Sequence, residues 1–215
     1  MKIDADYASS HLLKDGSRIT VRHIRPGDAE ELRRAFQKLS PQSRYRRFLV
    51  SMPVLSEDMV RYLTEVDGID HVALVATRES HDLKSEIGLG VARFIRAKDD
   101  PDVAEAAVTV VDEAQGKGIG RLLTQTLGEA ALERGIRCFR AEVLAENAPM
   151  RKILEDAGAV VLRDESGTVV FDVPLHAELP VADESPLRKL LRVAAEFVSA
   201  LGAPDSAPKS DRAST

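Results

Sequence analysis

The sequence feature that most constrains how this chain can fold is a short glycine-rich segment between an apolar run and an amphipathic stretch. The β-branched residues 108–111 predict the end of a strand, and an amphipathic helix is predicted from residue 121 onward. Gly116, Gly118 and Gly120 occupy alternate positions between the two elements. Glycines let the backbone adopt positive φ angles and let a ligand approach with no Cβ in the way. Amides that point into one concavity at the start of a helix bind phosphate groups.

The spacing of these glycines selects among the known phosphate-binding loops. The chain contains no G-x-x-x-x-G-K-[ST] sequence, which excludes a loop of the Walker type, and the segment does not match the G-x-G-x-x-G of dinucleotide-binding folds. Gln115-Gly116-Lys117-Gly118-Ile119-Gly120 after a strand resembles instead the pyrophosphate loop of the GNAT superfamily of N-acetyltransferases, which bind acetyl-coenzyme A (acetyl-CoA). A flexible turn is the alternative, although a turn needs one glycine rather than three.

Composition limits the classes of protein to which the chain can belong. Its 215 residues, 44% hydrophobic and 30% charged, predict one globular domain with an appendage. A net charge of −5 argues against binding nucleic acid through a general positive field. A single cysteine and five scattered histidines predict no metal site. The chain lacks both a long apolar run and a signal-like start, so we expect a cytoplasmic protein without a membrane partner.

Hydrophobic patterning predicts the element order β-α-α-β-β-β-α-β-α-β-β, which is the order of the GNAT fold. The predicted strands are residues 18–24, 71–77, 86–95, 103–111, 138–144, 159–163 and 168–173. The predicted helices are residues 28–38, 57–65, 121–134 and 147–156. Residues 1–13 show no strong pattern, and residues 40–43 are interpreted as a turn. The resemblance covers residues 17–175 and implies an α/β (α+β) fold whose mixed central sheet is splayed between its fourth and fifth strands and flanked by helices.

The last forty residues have a different character. Ser185 and Pro186 predict the start of a helix, and apolar residues follow at helical spacing on one face within residues 176–201. We interpret this helix as docking on its own domain or on a second copy of the chain, which would form a homodimer. A membrane or partner segment is the alternative. Residues 202–215 are predicted to be a disordered tail.

The resemblance to GNAT proteins implies where acetyl-CoA would bind. The backbone near Val110 and Val111 would bond the pantetheine and the thioester, because the fourth strand is splayed from the fifth in that family. The pyrophosphate would lie against Gln115, Gly116, Lys117, Gly118, Ile119, Gly120 and Arg121. For Lys117 and Arg121 the alternative is a role as solvated surface cations, which bind a coenzyme phosphate weakly.

A second segment also resembles a coenzyme-contacting motif of the superfamily. Residues 147–153 match N-x-x-[AM]-x-x-[LI], which implies that Asn147 and Met150 contact the pantetheine arm. A helix N-cap is the alternative role for Asn147, and the two roles are compatible.

The candidate general base is Glu105. An amine must lose a proton before it attacks a thioester, because free lysine has a pKa near 10.4. Glu105 is the sole acid within residues 103–108, and a carboxylate desolvated by apolar neighbours becomes a stronger base. An exposed glutamate at a strand edge fits the pattern equally well. In bacterial protein lysine acetyltransferases of this superfamily a glutamate just upstream of the glycine loop is the base, and the resemblance implies the same role for Glu105.

Further resemblances favour a protein lysine as the acceptor over a small amine. Leu154 occupies the position at which many small-molecule acetyltransferases carry a tyrosine that protonates the leaving thiolate. Residues 22–29 and 39–48 resemble the opening of the catalytic domain in bacterial lysine acetyltransferases, including the cyclic-nucleotide-regulated kind. This resemblance places Arg44, Arg46 and Arg47 against acidic groups of a protein acceptor, whereas a solvated loop is the simpler interpretation. A small-molecule amine acetyltransferase and a non-catalytic coenzyme-binding sensor or interaction module stay open as alternatives.

Overall fold

A computed structural model of the protein describes residues 2–80, 85–156, 158–165 and 167–175. Its strands are β1 (Ala8–Leu12), β2 (Arg18–His23), β3 (His71–Glu79), β4 (Glu86–Arg96), β5 (Val103–Val110), β6 (Cys138–Leu144), β7 (Val160–Glu165) and β8 (Thr168–Pro174). Its helices are α1 (Ala29–Gln37), α2 (Pro41–Phe48), α3 (Glu57–Thr64), α4 (Ile119–Glu133) and α5 (Ala148–Asp156). The predicted C-terminal helix within 176–201 and the tail 202–215 lie outside the described residues.

The eight strands form one mixed sheet in the order β1-β2-β3-β4-β5-β6-β8-β7. Neighbouring strands are antiparallel except β5 and β6, which are parallel. The parallel pairing extends only from Val103 opposite Cys138 to Glu105 opposite Arg140. Beyond Glu105, β5 continues to Val110 but no longer pairs with β6. This opening confirms the predicted splay between the fourth and fifth strands of the fold.

The first strand of the sheet is a difference from the predicted order. Every residue of β1 is exposed or half-buried, so its sequence carries little hydrophobic alternation. It nevertheless pairs along its whole length with β2, from Ala8 opposite Arg22 to Leu12 opposite Arg18. The Asp15-Gly16 dipeptide between the strands is a recognised hairpin signal, and it marks a turn that hydrophobic patterning does not reveal.

The segment interpreted as a turn forms α2 instead. The Ser40 hydroxyl accepts a hydrogen bond from the Ser43 amide at 3.1 Å, and Pro41 occupies the first helical position. Serine followed by proline is therefore a helix start here rather than a turn, in agreement with the preference of both residues for these positions. The helix ends at Leu49, which adopts a left-handed conformation with φ of 57°.

The sheet carries helices on both faces. The larger core lies between the sheet and α4 and includes Leu74, Phe94, Leu123, Leu127 and Phe171. Helix α1 lies on the opposite face, where the Glu31 carboxylate accepts a hydrogen bond from the Gly88 amide at 2.7 Å. Among the described helices, none is both long enough and apolar enough to cross a membrane.

A glycine on β4 sets how closely the sheet packs on itself and on α4. A Cβ atom at Gly90 would lie 2.8 Å from the carbonyl oxygen of Thr109 and 3.2 Å from the Leu123 side chain. The first distance is to backbone of the neighbouring strand, which cannot move without disturbing the strand pairing. The close approach of β4 to β5 near the end of β5 therefore requires glycine at this position.

We expect Gly90→Ala to lower the free energy of unfolding by about 1–3 kcal/mol, because overpacking against backbone forces the strands apart. Gly88→Ala is the matched control: its added Cβ would lie 3.3 Å from the Glu31 side chain, which can shift by rotation. Urea unfolding of the two variants measures the difference. Equal losses of stability would contradict this account of the packing at Gly90.

Candidate active site

The glycine loop joins β5 to α4 and exposes the start of the helix. Gly116 and Gly118 have positive φ angles of 75° and 88°, whereas Gly120 belongs to the first turn of α4. Gly118 is the N-cap residue, and no side chain accepts a hydrogen bond there. The first-turn amides of α4 therefore have no acceptor within the helix, and the positive end of the helix dipole lies behind them. This geometry suits a phosphate group.

Two predicted coenzyme contacts have structural partners within the chain. The Gln115 side-chain amide donates to the Val110 carbonyl at 3.0 Å and to the Asp112 carboxylate at 3.2 Å, so it ties the loop to the end of β5. Lys117 pairs with Asp15 at 3.2 Å, and both side chains are substantially exposed. Asp15, which lies in the turn between β1 and β2, was not identified from the sequence. Hydrogen bonds from Ser17, followed by the Lys117 interaction, lower the pKa of Asp15 to about 2.

The register of β5 distinguishes the two predicted backbone donors. The Val111 amide donates to the Leu89 carbonyl of β4 at 2.9 Å, so it is already engaged. Residues of an antiparallel pair alternate in whether they bond the partner strand, and Gly90 lies opposite Val110. The amides of Val110 and Val108 therefore point away from β4, toward the opening beside β6. The Val110 and Val108 amides are therefore candidate hydrogen-bond donors to the coenzyme. The Val111 amide is not, because it already bonds Leu89.

Glu105 stands at the point where the sheet opens. It is the last β5 residue paired with β6, and Arg140 lies opposite it. Its side chain is exposed, which matches the strand-edge alternative and removes the desolvation on which the sequence argument depended. The Glu105 cavity, of about 700 Å³, lies between α2 and strands β4, β5, β6, β7 and β8. Its charged lining residues are Arg46, Arg47, Arg93, Asp99, Glu105, Arg140, Glu142 and Arg163.

The predicted pantetheine segment forms α5 and the residue before it. Asn147 is half-buried, and its carbonyl accepts the Arg151 amide at 3.1 Å in the first turn. Leu154 is 4% exposed and packs in the core on the α4 side of the sheet. A tyrosine side chain at this position would therefore be buried, as the leucine is. The side chain of Met150 lies outside the described residues.

The three arginines assigned to an acidic acceptor do not share one role. Arg44 donates to the carbonyls of Leu39, Pro53 and Gln37 at 2.9–3.1 Å, and its guanidinium lies 4.7 Å from the centre of the Phe36 ring. These contacts hold α2 to the segments around it, so Arg44 is a structural residue. Arg46 and Arg47 instead line the Glu105 cavity.

The single cysteine is a packing residue. Cys138 is half-buried at the start of β6. Burial raises the pKa of its thiol to about 11, with the nearby Asp172 carboxylate adding to the effect. The thiol therefore stays protonated and unreactive at neutral pH. Within the described ranges, no cluster of three or more His, Cys, Asp or Glu side chains is arranged to hold a metal ion.

A histidine beside the Glu105 cavity is held neutral. His71 Nε2 lies 2.9 Å from Nη1 of Arg93, which can only donate, so Nε2 accepts. The Tyr62 ring covers the imidazole at a centroid distance of 5.1 Å. Burial, reinforced by the Arg93 charge, lowers the pKa of His71 to about 4. An unfolded histidine takes up its proton near pH 6.5. The unfolded state therefore binds more protons between about pH 6.5 and pH 4, and stability falls as the pH falls through that interval.

His71→Gln keeps an acceptor for Arg93 but removes this titration. We expect the loss of stability between about pH 6.5 and pH 4 to be smaller in the variant by about 1–2 kcal/mol, a figure discounted for the partial exposure of the ring. Urea unfolding at a series of pH values measures it. His23, whose pKa is also lowered by burial, is present in both proteins and cancels in the difference. Parallel stability curves for the two proteins would contradict this role for His71.

Comparison with known proteins agrees with this geometry. Residues 18–160 match the family model for the acetyltransferase (GNAT) domain. Acetyltransferase Pat of Mycolicibacterium smegmatis is 32% identical over 194 residues, which cover 86% of this chain and 56% of that protein. The chain thus spans little more than half the length of this relative. An acetyltransferase of Pseudomonas aeruginosa is 30% identical over 153 residues, or 71% of this chain and 80% of that protein.

A solved structure extends the comparison to three dimensions. The GNAT domain of PAT from S. lividans superposes with a TM-score of 0.68 at 35% sequence identity. The match covers 78% of this chain and 97% of that domain. The open edge of β5, the glycine loop at its end and these matches together show that the chain belongs to the GNAT family of acetyltransferases.

Proposed function

We propose that the chain transfers an acetyl group from acetyl-CoA to the ε-amine of a protein lysine. The observation that carries the proposal is the opening between β5 and β6, which ends at the glycine loop and begins at Glu105. One end of this opening suits a phosphate group and the other presents a carboxylate. Membership of the GNAT family supports acetyl transfer. The resemblance of residues 22–29 and 39–48 to lysine acetyltransferases, together with Leu154, supports a protein lysine as the acceptor.

The backbone of the chain provides the contacts that acetyl-CoA requires. The first-turn amides of α4, on Ile119, Gly120 and Arg121, would bind the pyrophosphate, with Gly118 keeping the approach clear of a Cβ. The Val108 and Val110 amides lie on the open edge of β5, where the pantetheine arm would run. A donor fixed in the backbone is already oriented toward a thioester oxygen, so it stabilises the negative charge that develops in the transition state without reorganising.

Glu105 would take the proton from the acceptor. A lysine that enters the Glu105 cavity is an ammonium at neutral pH, and Glu105 accepts its proton directly or through a water molecule. The exposed position of Glu105 leaves room for that water. The neutral amine then attacks the thioester carbon, a C–N bond forms, the C–S bond breaks and coenzyme A leaves as the thiolate. The second proton that the nitrogen loses on becoming an amide passes to the thiolate or to solvent. Leu154 has no proton to donate, so the thiolate leaves without help from that position or is protonated by solvent.

The proposal is tested by measuring coenzyme A release from acetyl-CoA by the purified protein, with and without a pool of cytosolic proteins. We expect release that depends on the protein pool and leaves acetyl-lysine detectable by mass spectrometry. Release with small amines but not with proteins would replace the lysine proposal with the small-molecule alternative. Tight acetyl-CoA binding in calorimetry with no release for either acceptor would overturn catalysis altogether.

Glu105→Gln tests the base. We expect the single-turnover rate to fall by about 10²–10⁴-fold throughout the range from about pH 6 to pH 9, with acetyl-CoA affinity unchanged. Glu142→Gln is the matched control: Glu142 lines the same cavity and accepts a hydrogen bond from Thr168 at 2.8 Å. A Glu105→Gln enzyme as fast as the parent across this pH range would exclude the assignment.

Gly118→Ala tests the phosphate site. Alanine is strained at a φ of 88°, so the first-turn amides would shift and we expect the Kd for acetyl-CoA to rise about tenfold. Gly167→Ala introduces the same strain in the turn before β8, where φ is also 88°. This control should lose about 1 kcal/mol of stability with no change in Kd. Calorimetric titration of both variants measures the affinities, and unchanged binding by Gly118→Ala would contradict the site.

A further inference from the structure

A second cavity, of about 520 Å³, lies between α1 and the face of the sheet that α1 covers. We call it the α1 cavity. Much of its wall is apolar and includes Ile24, Leu32, Phe36, Leu63, Val75 and Val91. A volume of this size is typical of small-molecule sites. The lining also includes five carboxylates, on Asp28, Glu30, Glu31, Glu79 and Glu86. Four of them already pair with arginines: Asp28 and Glu86 with Arg22, Glu30 with Arg33, and Glu31 with Arg34.

Two arginines form the boundary that the α1 cavity shares with the Glu105 cavity. Arg93 is 4% exposed; its Nη2 donates to the Leu63 carbonyl at 3.0 Å and its Nη1 lies 2.9 Å from His71 Nε2. Its Nε is buried and has no hydrogen-bond partner. Arg47 is half-buried, with its guanidinium 4.9 Å from the centre of the Phe48 ring. Among the described residues, neither arginine has an ion pair.

These two guanidinium groups are close enough to repel each other. Burial, reinforced by the charge of Arg47, lowers the pKa of Arg93 to about 9. Burial lowers the pKa of Arg47 as well. Both groups still carry their protons at neutral pH, so the boundary between the two cavities holds buried positive charge that no carboxylate of the described residues pairs with. A buried unpaired charge is costly unless a ligand or counter-ion compensates it.

A third arginine that lines the α1 cavity, Arg22, is buried but is neutralised by carboxylates of the chain itself. Arg22 is 6% exposed, yet it donates two hydrogen bonds of 2.8 Å to Asp28 and also pairs with Glu86. In the part of the chain that the structure describes, no carboxylate pairs with Arg47 or Arg93 in this way. Two hydroxyl groups that line the same cavity, on Thr77 and Thr109, are likewise buried and without partners. Among the described residues, three of the five buried side-chain atoms without a hydrogen-bond partner, on Thr77, Arg93 and Thr109, therefore line this one space, and the other two are on His11 and His23.

We propose that the α1 cavity binds an aliphatic monocarboxylate, with its carboxylate between Arg47 and Arg93 and its alkyl chain along the apolar wall. A carboxylate supplies the missing charge and can accept hydrogen bonds from two guanidinium groups. The alkyl chain distinguishes this ligand from an inorganic anion, which would leave the apolar wall in contact with water. Because Arg47, Phe48 and Arg93 also line the Glu105 cavity, the ligand alters the wall against which the acceptor lies.

The test is calorimetric titration of the full chain with hexanoate and with hexanamide, which has the same alkyl chain but no charge. Arg47→Met removes one cation while keeping an unbranched side chain. Arg34→Met is the matched control, since Arg34 lines the same cavity but is 66% exposed and pairs with Glu31 at 3.0 Å. Thermal unfolding of both variants checks that they fold; Arg47→Met is expected to be at least as stable as the parent because an unpaired cation is removed.

We expect hexanoate to bind the parent protein about tenfold more tightly than hexanamide does. Its affinity for Arg47→Met should be about tenfold lower than for the parent, and its affinity for Arg34→Met should be unchanged. Equal binding of hexanoate and hexanamide, unchanged binding by Arg47→Met or no hexanoate binding at all would each overturn the proposal. If no carboxylate binds and Arg47→Met instead raises the KM for an acceptor protein, the two arginines recognise an acidic group on that acceptor. That outcome would also overturn the proposal of a small ligand.

Discussion

The separation of β6 from β5 after Glu105 is the feature on which the rest of the site depends. Strand β5 continues to Val110 with one edge paired to β4 and the other facing the opening. Unpaired N–H groups in the middle of a sheet are costly unless another molecule accepts their hydrogen bonds. The same opening brings the glycine loop to one end of the strand and Glu105 to the other. A single irregularity in strand pairing thus aligns a phosphate site, a row of backbone donors and a carboxylate.

Interactions on the two sides of the opening hold it in place. On the β6 side, pairing with β8 continues from Cys138 to Leu144, and Arg140 forms two hydrogen bonds with Asp172 at 2.8 and 3.0 Å. On the β5 side, Gly90 lets β4 and α4 approach closely, and the Gln115 side chain fastens the loop to the Val110 carbonyl. These contacts are made within the chain, so the opening is formed before any ligand arrives. Preorganisation of this kind is what makes backbone donors effective in catalysis.

Sequence reasoning identified the parts of this structure that depend on local pattern. The glycine loop, α4 and the central strands have strong periodicity or strict backbone requirements, and all were predicted close to their observed bounds. Strand β1 escaped prediction because it has no buried residue, and α2 because Ser40 and Pro41 also suit a turn. The sequence pattern could not predict residue roles that depend on contacts with residues distant in the chain. The engagement of the Val111 amide by Leu89 follows from strand register. The meeting of Arg47 and Arg93 follows from the tertiary fold, which brings α2 and β4 to the wall of one cavity.

The central claim is that acetyl-CoA occupies the open edge of β5, and amide hydrogen exchange resolved by NMR tests it most directly. Without ligand, the Val111 amide should exchange slowly because it already donates to Leu89, whereas the Val108 and Val110 amides should exchange quickly. Addition of acetyl-CoA should slow exchange at Val108, Val110 and the first-turn amides of α4, with little change at Val111. Saturating acetyl-CoA that leaves the Val108 and Val110 amides exchanging as before would contradict the account.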